Sequence, residues 1–385
     1  MDYFLTEEQV RIRDLAREIA QEKIKPVASK YDESEEFPWE IMEILAEEVF
    51  FGLFIDEEYG GSGMGTMGLV LATEELSRAC GGIALGFAAT ALGTMPVLLA
   101  GNEEQKKKYL PGVAAGKTLA GFGITEPEAG SDVGGIQATA TRDGDSYVLN
   151  GTKIFITNGG VAQLYSVVVS TDPSRGSRGA SAFIVEKDTP GFSFGKKYEK
   201  LGIRGSTTCE LIFEDCRIPE ENLLGREGMG FLIAMRTFDR TRPGVAAQAL
   251  GVAQGALDCA IEYSRKMTLD GELLSHHQFV QAKLADMATQ VEATRALIYA
   301  VARMMDAGAR EVSKPSAMAK LLAGDVAVAV TGEVCSLFGG YGVSKKYPFE
   351  KYMRDAKITQ IYEGTNEIQR EIIGKALIKE AASRK

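Results

Sequence analysis

Histidine is nearly absent: the 385 residues hold only two, His276 and His277, side by side. A histidine-rich metal centre is thereby excluded, and a Ser-His-Asp triad would have to draw on one of this pair. Cysteine is sparse and odd in number, with Cys80, Cys209, Cys216, Cys259 and Cys335 scattered and no C-x-x-C pair. That argues against a zinc ribbon and for a reducing compartment. Cations are outnumbered, 43 Lys and Arg against 53 Asp and Glu for a net charge of -10, so no general nucleic-acid surface is expected. No run of about 18 uninterrupted apolar residues stands out, which predicts no membrane span. The opening MDYFLTEEQV has neither the basic region nor the apolar run of a signal peptide. A cytoplasmic protein that binds no metal is the expectation.

What is present falls into three stretches. The first, residues 1–119, reads as helical. Thr6-Glu7-Glu8-Gln9 forms a capping box, a second helix runs from Trp39 to about Phe50, and Leu69 to Ala79, Leu92 to Ala100 and Asn102 to Leu110 continue the helical pattern. From 120 to 229 strand formers dominate, in Ser146 to Asn150, Lys153 to Thr157, Tyr165 to Ser170, Ala180 to Glu186 and Glu210 to Phe213. Asp143-Gly144 and Asn150-Gly151 punctuate them, which predicts a compact antiparallel β domain rather than β-α-β units. From 230 to 385 long amphipathic stretches return, at Phe231 to Met267, Gln278 to Ala307 and Ser313 to Leu337, and predict a C-terminal four-helix bundle. The fold class is mostly α with a central β domain.

Two phosphate-binding patterns fail on context. Gly63-Met64-Gly65-Thr66-Met67-Gly68 matches G-x-G-x-x-G, but no acid follows near Gly81 to Thr90 and no β-α-β alternation surrounds it. Gly116-Lys117-Thr118 resembles the end of a P-loop, but Pro111 stands where its first glycine belongs.

Three segments carry more information. Phe122 to Asp132 (FGITEPEAGSD) sets the hydroxyls of Thr125 and Ser131 beside the small residues Ala129 and Gly130, so a ligand can approach the backbone donors. The same residues also make an ordinary surface turn. Lys153 to Gly160 ends a strand with Phe155 and Thr157 on one face by alternation, an aromatic beside a hydroxyl that suits a flat heteroaromatic ring, or equally a core aromatic at a strand end. In Ile361 to Gln369 (IYEGTNEIQ), Gly364 breaks any helix and Thr365 or Asn366 caps the next. Glu363 then sits on a short link where a carboxylate can act as a base, or can simply complement a helix N-terminus.

Taken in this order, together with Gly101 to Leu110, Phe238-Asp239-Arg240-Thr241-Arg242-Pro243 and Met353-Arg354-Asp355-Ala356-Lys357, these segments resemble the acyl-CoA dehydrogenase family over nearly the whole chain, most like its medium-chain and butyryl types. The resemblance implies FAD between the β domain and the bundle, held by Phe122, Ile124, Thr125, Gly130, Ser131, Phe155, Ile156, Thr157, Thr365, Asn366 and Glu367. It implies that Arg265, His277, Gln278, Ser336, Gly339 and Gly340 reach the FAD of a neighbouring subunit in a homotetramer. Ser131, Asp239, Arg240, Thr241, Arg242 and Gly364 would contact an acyl-CoA substrate, with Glu363 the catalytic base and an electron-transferring flavoprotein the acceptor. Ala88, Ala89, Thr90 and Ala91 fall where the inner pocket wall is expected, with room for a medium chain or a ring. An oxidase, an enoyl-CoA reductase and a catalytically silent binding protein are the competing functions. Departures from the family pattern cluster near the intersubunit contacts: a segment about two residues longer around Met267 to Gly271, Ser336 in place of a usual Gln, and Lys346 where an acid is common.

Overall fold

Six helices lead the chain in a computed structural model that describes residues 3–383. They are α1 (Glu7–Ile19), α2 (Ala28–Ser34), α3 (Trp39–Glu47), α4 (Gly65–Ala79), α5 (Gly81–Ala100) and α6 (Glu103–Ala114). The capping box forms as read: the Thr6 hydroxyl accepts from the Gln9 N–H at 3.2 Å and the Gln9 side chain accepts from the Thr6 N–H at 3.1 Å. Helix α3 stops at Glu47, short of Phe50, because Val49 is left-handed at φ 58° and starts a 3₁₀ turn. Helix α4 begins at Gly65, four residues before the apolar pattern does. Asp306, distant in sequence, accepts from the Thr66 and Met67 N–H groups at 2.7 and 2.9 Å and satisfies the first turn from outside the segment. The glycine pattern at Gly63–Gly68 therefore ends in a helix capped by a carboxylate, with no strand before it.

The β domain is one eight-stranded sheet: β1 (Ala120–Gly123), β2 (Thr139–Asp143), β3 (Ser146–Thr157), β4 (Leu164–Ser170), β5 (Ala180–Glu186), β6 (Phe192–Lys197), β7 (Thr208–Pro219) and β8 (Leu223–Leu224). Its order is β6-β7-β3-β2-β4-β5-β8, with β1 also on β4. Two corrections apply. The sheet is not wholly antiparallel, since β1 runs parallel to β4 and β2 meets β4 in parallel at Thr139 and Ser170; β1 arrives from α6 and not through a hairpin. The two strands read on either side of Gly151 are one strand, β3, with irregularities at Leu149/Gly151 and Lys153/Ile156. Gly151, at φ 134°, is needed at the first, because a Cβ there would lie 2.6 Å from that of Ala138.

The C-terminal part holds α7 (Gly230–Ser264), the hairpin β9 (Thr268–Leu269) and β10 (Glu272–Leu273), α8 (Gln278–Asp306), α9 (Ser313–Phe338), α10 (Phe349–Thr359) and α11 (Asn366–Ala382). Helices α7, α8, α9 and α10 pack as the bundle, α11 lies on α9, and α4 packs on both α7 and α8. One hydrophobic core joins the first helices to the sheet, and a second fills the bundle and takes in Met67, Val70 and Leu71 of α4. The longer segment after Arg265 is the β9–β10 hairpin, turned by Asp270 and Gly271 at φ 53° and 84°.

The expectation of no membrane-length segment is corrected. Gly81–Ala100, Gly230–Ser264 and Ser313–Tyr341 are each long and apolar enough to cross a membrane by length and composition alone. Their apolar surface is taken up by helix and sheet packing, with 67%, 83% and 50% of the respective stretches buried.

Helix α10 joins the three parts. Arg354 donates to Asp32 at 2.6 Å and to the Leu201 carbonyl at 3.0 Å, while Asp355 accepts from the Ile203 N–H at 2.5 Å and from Lys351 at 2.7 Å. All of these bonds lie just before the link that carries Glu363.

Candidate active site

Between α10 and α11 the chain must reverse within a few residues. Glu363 and Gly364 do so in the left-handed region, at φ 51° and 87°. Glycine adopts that conformation freely, but for glutamate it costs roughly 1–2 kcal/mol, so the surroundings have to hold it. The Gly364 carbonyl accepts from Lys320 Nζ at 2.6 Å and from Gln369 Nε2 at 3.0 Å. The Asn366 N–H reaches back to the Gln360 carbonyl at 2.9 Å. The Thr365 hydroxyl caps α11 by accepting from the Ile368 N–H at 3.2 Å. The Glu363 and Gly364 N–H groups find no acceptor among the described residues.

The Glu363 side chain faces a narrow cleft lined by Leu69, Leu85, Ala88, Ala91, Thr241, Gly244, Val245, Gln248 and Tyr362. Helical spacing explains the selection: residues 241, 244, 245 and 248 form one face of α7, and residues 85, 88 and 91 one face of α5. Only two of the four expected wall residues are therefore at the cleft. Thr90 points to the sheet instead, where Asn158 donates to its hydroxyl at 3.2 Å, and Ala89 packs beside Leu85 and Ile203.

The walls are apolar, and burial pushes the Glu363 carboxyl up to about 7 against the opposing pull of the Thr241 hydroxyl, Lys320 and Arg242. Thr241 donates to Glu363 Oε2 at 3.3 Å. Arg242 is buried and bonded to Asp239 at 2.5 Å. A carboxyl pushed up to about 7 by burial, in a largely apolar cleft beside N–H groups that find no acceptor among the described residues, suits proton abstraction from carbon next to a polarised carbonyl.

The residues expected around a flavin fall into two groups. Phe122, Ile124 and Ile156 are core side chains, so only their backbones could meet a ligand. Thr125 and Thr157 are half-buried, and Gly130 and Ser131 are exposed on the following loop. Phe155 is 58% exposed at φ 57°, with its ring 4.6 Å from that of Tyr198. The β3 irregularity falls at this residue, so its placement comes from a bulge and not from the simple alternation expected. The side chains of Thr365 and Asn366 are committed internally, Asn366 to Asp325 at 2.8 Å and to Lys320 at 3.0 Å, and only Glu367 is exposed.

The second group, Arg265, His277, Gln278, Ser336, Gly339 and Gly340, lies at one end of the bundle. Thr241 and Arg265 mark its distance from Glu363 along α7, 24 residues or roughly 36 Å at 1.5 Å per residue. The single chain does not bring this group to Glu363.

Sequence reading missed Lys320, Gln248, Gly244, Leu69 and the buried pair Glu126–Lys153. The signals were faint. Lys320 is a lone cation in the apolar run Ala317 to Ala323, and Lys153 opens a strand of apolar residues. Lys153 Nζ lies 2.5 Å from Glu126, which also accepts from the Gln137 and Ala138 N–H groups at 2.7 and 3.1 Å. These bonds pin the loop from Ile124 to Ala138 to the sheet.

Residues 6–117, 121–216 and 228–378 match the N-terminal, middle and C-terminal domains of acyl-CoA dehydrogenases. A short-chain-specific acyl-CoA dehydrogenase of Clostridium acetobutylicum is 46% identical over 97% of this chain and 98% of its own length. The structure of butyryl-CoA dehydrogenase from Megasphaera elsdenii superposes with a TM-score of 0.95 at 45% identity, covering 98% of this chain and 100% of the other. A chain solved in work on the electron transferring flavoprotein of Acidaminococcus fermentans reaches a TM-score of 0.96 at 48% identity, over 98% and 99% of the two chains. With three consecutive domains matched and near half-identity along its full length, the chain belongs to the acyl-CoA dehydrogenase family of flavin-dependent oxidoreductases.

Proposed function

We propose that the protein removes the α and β hydrogens of a short acyl-CoA thioester, with Glu363 taking the α proton. The observation that carries this reading is the Glu363 carboxyl: held on a left-handed link, facing an apolar cleft, and pushed up to about 7. An α C–H of a thioester is a very weak acid, so the carbonyl oxygen needs donors in place before the proton leaves. The unoccupied N–H groups of Glu363 and Gly364 are such donors. Thr241 steadies the carboxylate by its hydrogen bond, and the apolar walls exclude water.

The residues present fit FAD. Gly130, Gly339 and Gly340 leave open space where a Cβ would stand, and His277 Nε2 and Thr207 Oγ1 are buried polar atoms without partners. Phe155 offers an exposed aromatic ring, 4.6 Å from that of Tyr198. Phe122, Ile124, Thr125, Gly130, Ser131, Phe155, Ile156, Thr157 and Glu367 would hold the cofactor from one chain. Arg265, His277, Gln278, Ser336, Gly339 and Gly340 would hold it from a second copy, since they lie too far from Glu363 to share its ligand. That separation supports an assembly of at least two copies, and the homotetramer is part of the same proposal. When bound, FAD supplies the acceptor for the β hydride. The acyl-CoA would lie along Ser131, Asp239, Arg240, Thr241 and Gly364. Arg242 is too deeply buried to touch it and acts beneath Glu363.

Gln248 supports the short acyl group: its side chain is buried, donates to the Gly81 carbonyl at 2.8 Å, accepts from the Tyr362 hydroxyl, and lines the cleft. Electron-transferring flavoprotein as acceptor is part of the same proposal, supported by the likeness to the A. fermentans chain. Steady-state turnover of butyryl-CoA and octanoyl-CoA with an artificial acceptor tests it. Wild type should prefer the shorter substrate, and Glu363→Gln should keep FAD and lose turnover. Wild-type turnover in that variant would remove Glu363 from the chemistry.

A further inference from the structure

Lys320 is a fully buried lysine on the apolar helix α9. Buried ammonium groups are ordinarily neutralised by a carboxylate at contact, because leaving one unpaired is costly. Lys320 makes no ion pair within 4 Å among the described residues. Its two acceptors are both neutral: the Gly364 carbonyl at 2.6 Å and Asn366 Oδ1 at 3.0 Å. The first is on the link that carries Glu363, and the second opens α11 directly after it.

The charges around this link sort in a way that singles out Lys320. On α7, Arg242 is neutralised by Asp239 at 2.5 Å. On α9, Asp325 is neutralised by Arg370 of α11 at 2.8 Å. Glu367, also on α11, is exposed to solvent, and Tyr362 on the link is uncharged. That leaves Lys320 and Glu363 as a cation and an anion with no ion-pair partner within 4 Å among the described residues, Glu363 standing one residue from the carbonyl that Lys320 grips.

We propose that Lys320 is a positioning residue for the base: its ammonium clamps the Gly364 carbonyl, holding Glu363 in its left-handed conformation, and supplies the charge that keeps the buried carboxylate usable. The proposal rests on the reading of Glu363 as the base. Burial pulls Lys320 down to about 8 and Glu363 is the chief charge opposing that fall, as a mutual pairing across the link requires. Lys320 does not reach the substrate, since its Nζ is spent on the link.

The test compares wild type, Lys320→Met, Lys320→Arg and Glu363→Gln as FAD-loaded protein, with two readouts. The first is the pH profile of kcat/KM for butyryl-CoA. In Lys320→Met the rising limb should move alkaline by about one unit, with kcat about 10- to 100-fold lower and KM within about threefold. Lys320→Arg, which keeps the charge, should hold the limb near its wild-type position. The second is hydrogen exchange of residues 361–366 in protein without substrate, which should quicken at least about tenfold in Lys320→Met. An unmoved limb together with unchanged exchange in Lys320→Met overturns the proposal. If that variant does not fold, Lys320→Gln keeps a donor and loses the charge, and an unmoved limb there overturns it equally. A wild type with no rising limb, or an active Glu363→Gln, defeats the base reading instead.

Discussion

A buried carboxylate costs the fold stability, and that cost can be measured apart from turnover. The perturbation is Glu363→Gln, which keeps shape and one hydrogen-bonding edge while removing the charge. In the folded protein the carboxyl is raised from an ordinary 4.5 to about 7. A raised acid binds its proton more readily when folded than when unfolded, so stability falls as pH rises from about 4.5 to about 7 and stays low above that. At about 1.36 kcal/mol per unit the span corresponds to an upper limit of about 3.4 kcal/mol at pH 8. The residue opens onto the cleft on one side, so about 2–3 kcal/mol is the working expectation. The glutamine escapes this loss.

For a chain of this length that difference moves the thermal midpoint by about 2–4 °C. The assay is paired thermal unfolding of wild type and variant at matched concentration and FAD saturation, at pH 5 and pH 8. The variant should be the more stable at pH 8, and the gap should nearly close at pH 5, where the folded wild type carries a proton on Glu363. A variant no more stable than wild type at pH 8, or equally stabilised at both pH values, would refute the claim that Glu363 is held in a desolvated state.

Three further outcomes are expected. Lys153→Met leaves the Glu126 carboxylate buried with only its backbone donors, and should cost about 3–5 kcal/mol in denaturant unfolding and weaken FAD retention. A change below about 1 kcal/mol would mean that the pair does not anchor the loop from Ile124 to Ala138. Gln248→Ala should deepen the cleft and shift preference from butyryl-CoA towards octanoyl-CoA by at least about tenfold in the ratio of kcat/KM, in line with roughly 0.8 kcal/mol for each methylene newly covered. An unchanged ratio would place the end of the acyl site elsewhere. Gly364→Ala puts a Cβ 2.6 Å from Gln369 Nε2 at φ 87°, and should lower kcat more than about tenfold while leaving global stability within about 2 kcal/mol. Equal kcat would show that the link tolerates distortion.

The order of helical, β and helical stretches was legible because each rests on local periodicity and turn residues. The capping box at Thr6 is wholly local and formed as such signals do. What was not legible depends on partners remote in sequence. The start of α4 is set by Asp306, and the parallel seating of β1 on β4 by where α6 delivers the chain. Phe155 is placed by a bulge that two strands make together, which alternation along one strand cannot show. At the site, Glu363 and Gly364 announced themselves as an acid and a helix breaker side by side. Lys320 and Gln248 did not, because their meaning lies in facing that link across a helix packing. The wall of four small residues was half right for a simple reason: a helix presents every third or fourth side chain to a cleft, so Ala88 and Ala91 line it while Thr90 serves Asn158.

The central claim is that Glu363 draws a proton from the α carbon of an acyl-CoA. Its most direct test is the visible spectrum of the FAD-loaded protein on anaerobic addition of butyryl-CoA, for wild type and Glu363→Gln alike. The account predicts that the yellow absorption of wild type bleaches within the mixing time while the variant binds the thioester and stays yellow. A wild type that no acyl-CoA bleaches, or a variant that bleaches as fast, would contradict it.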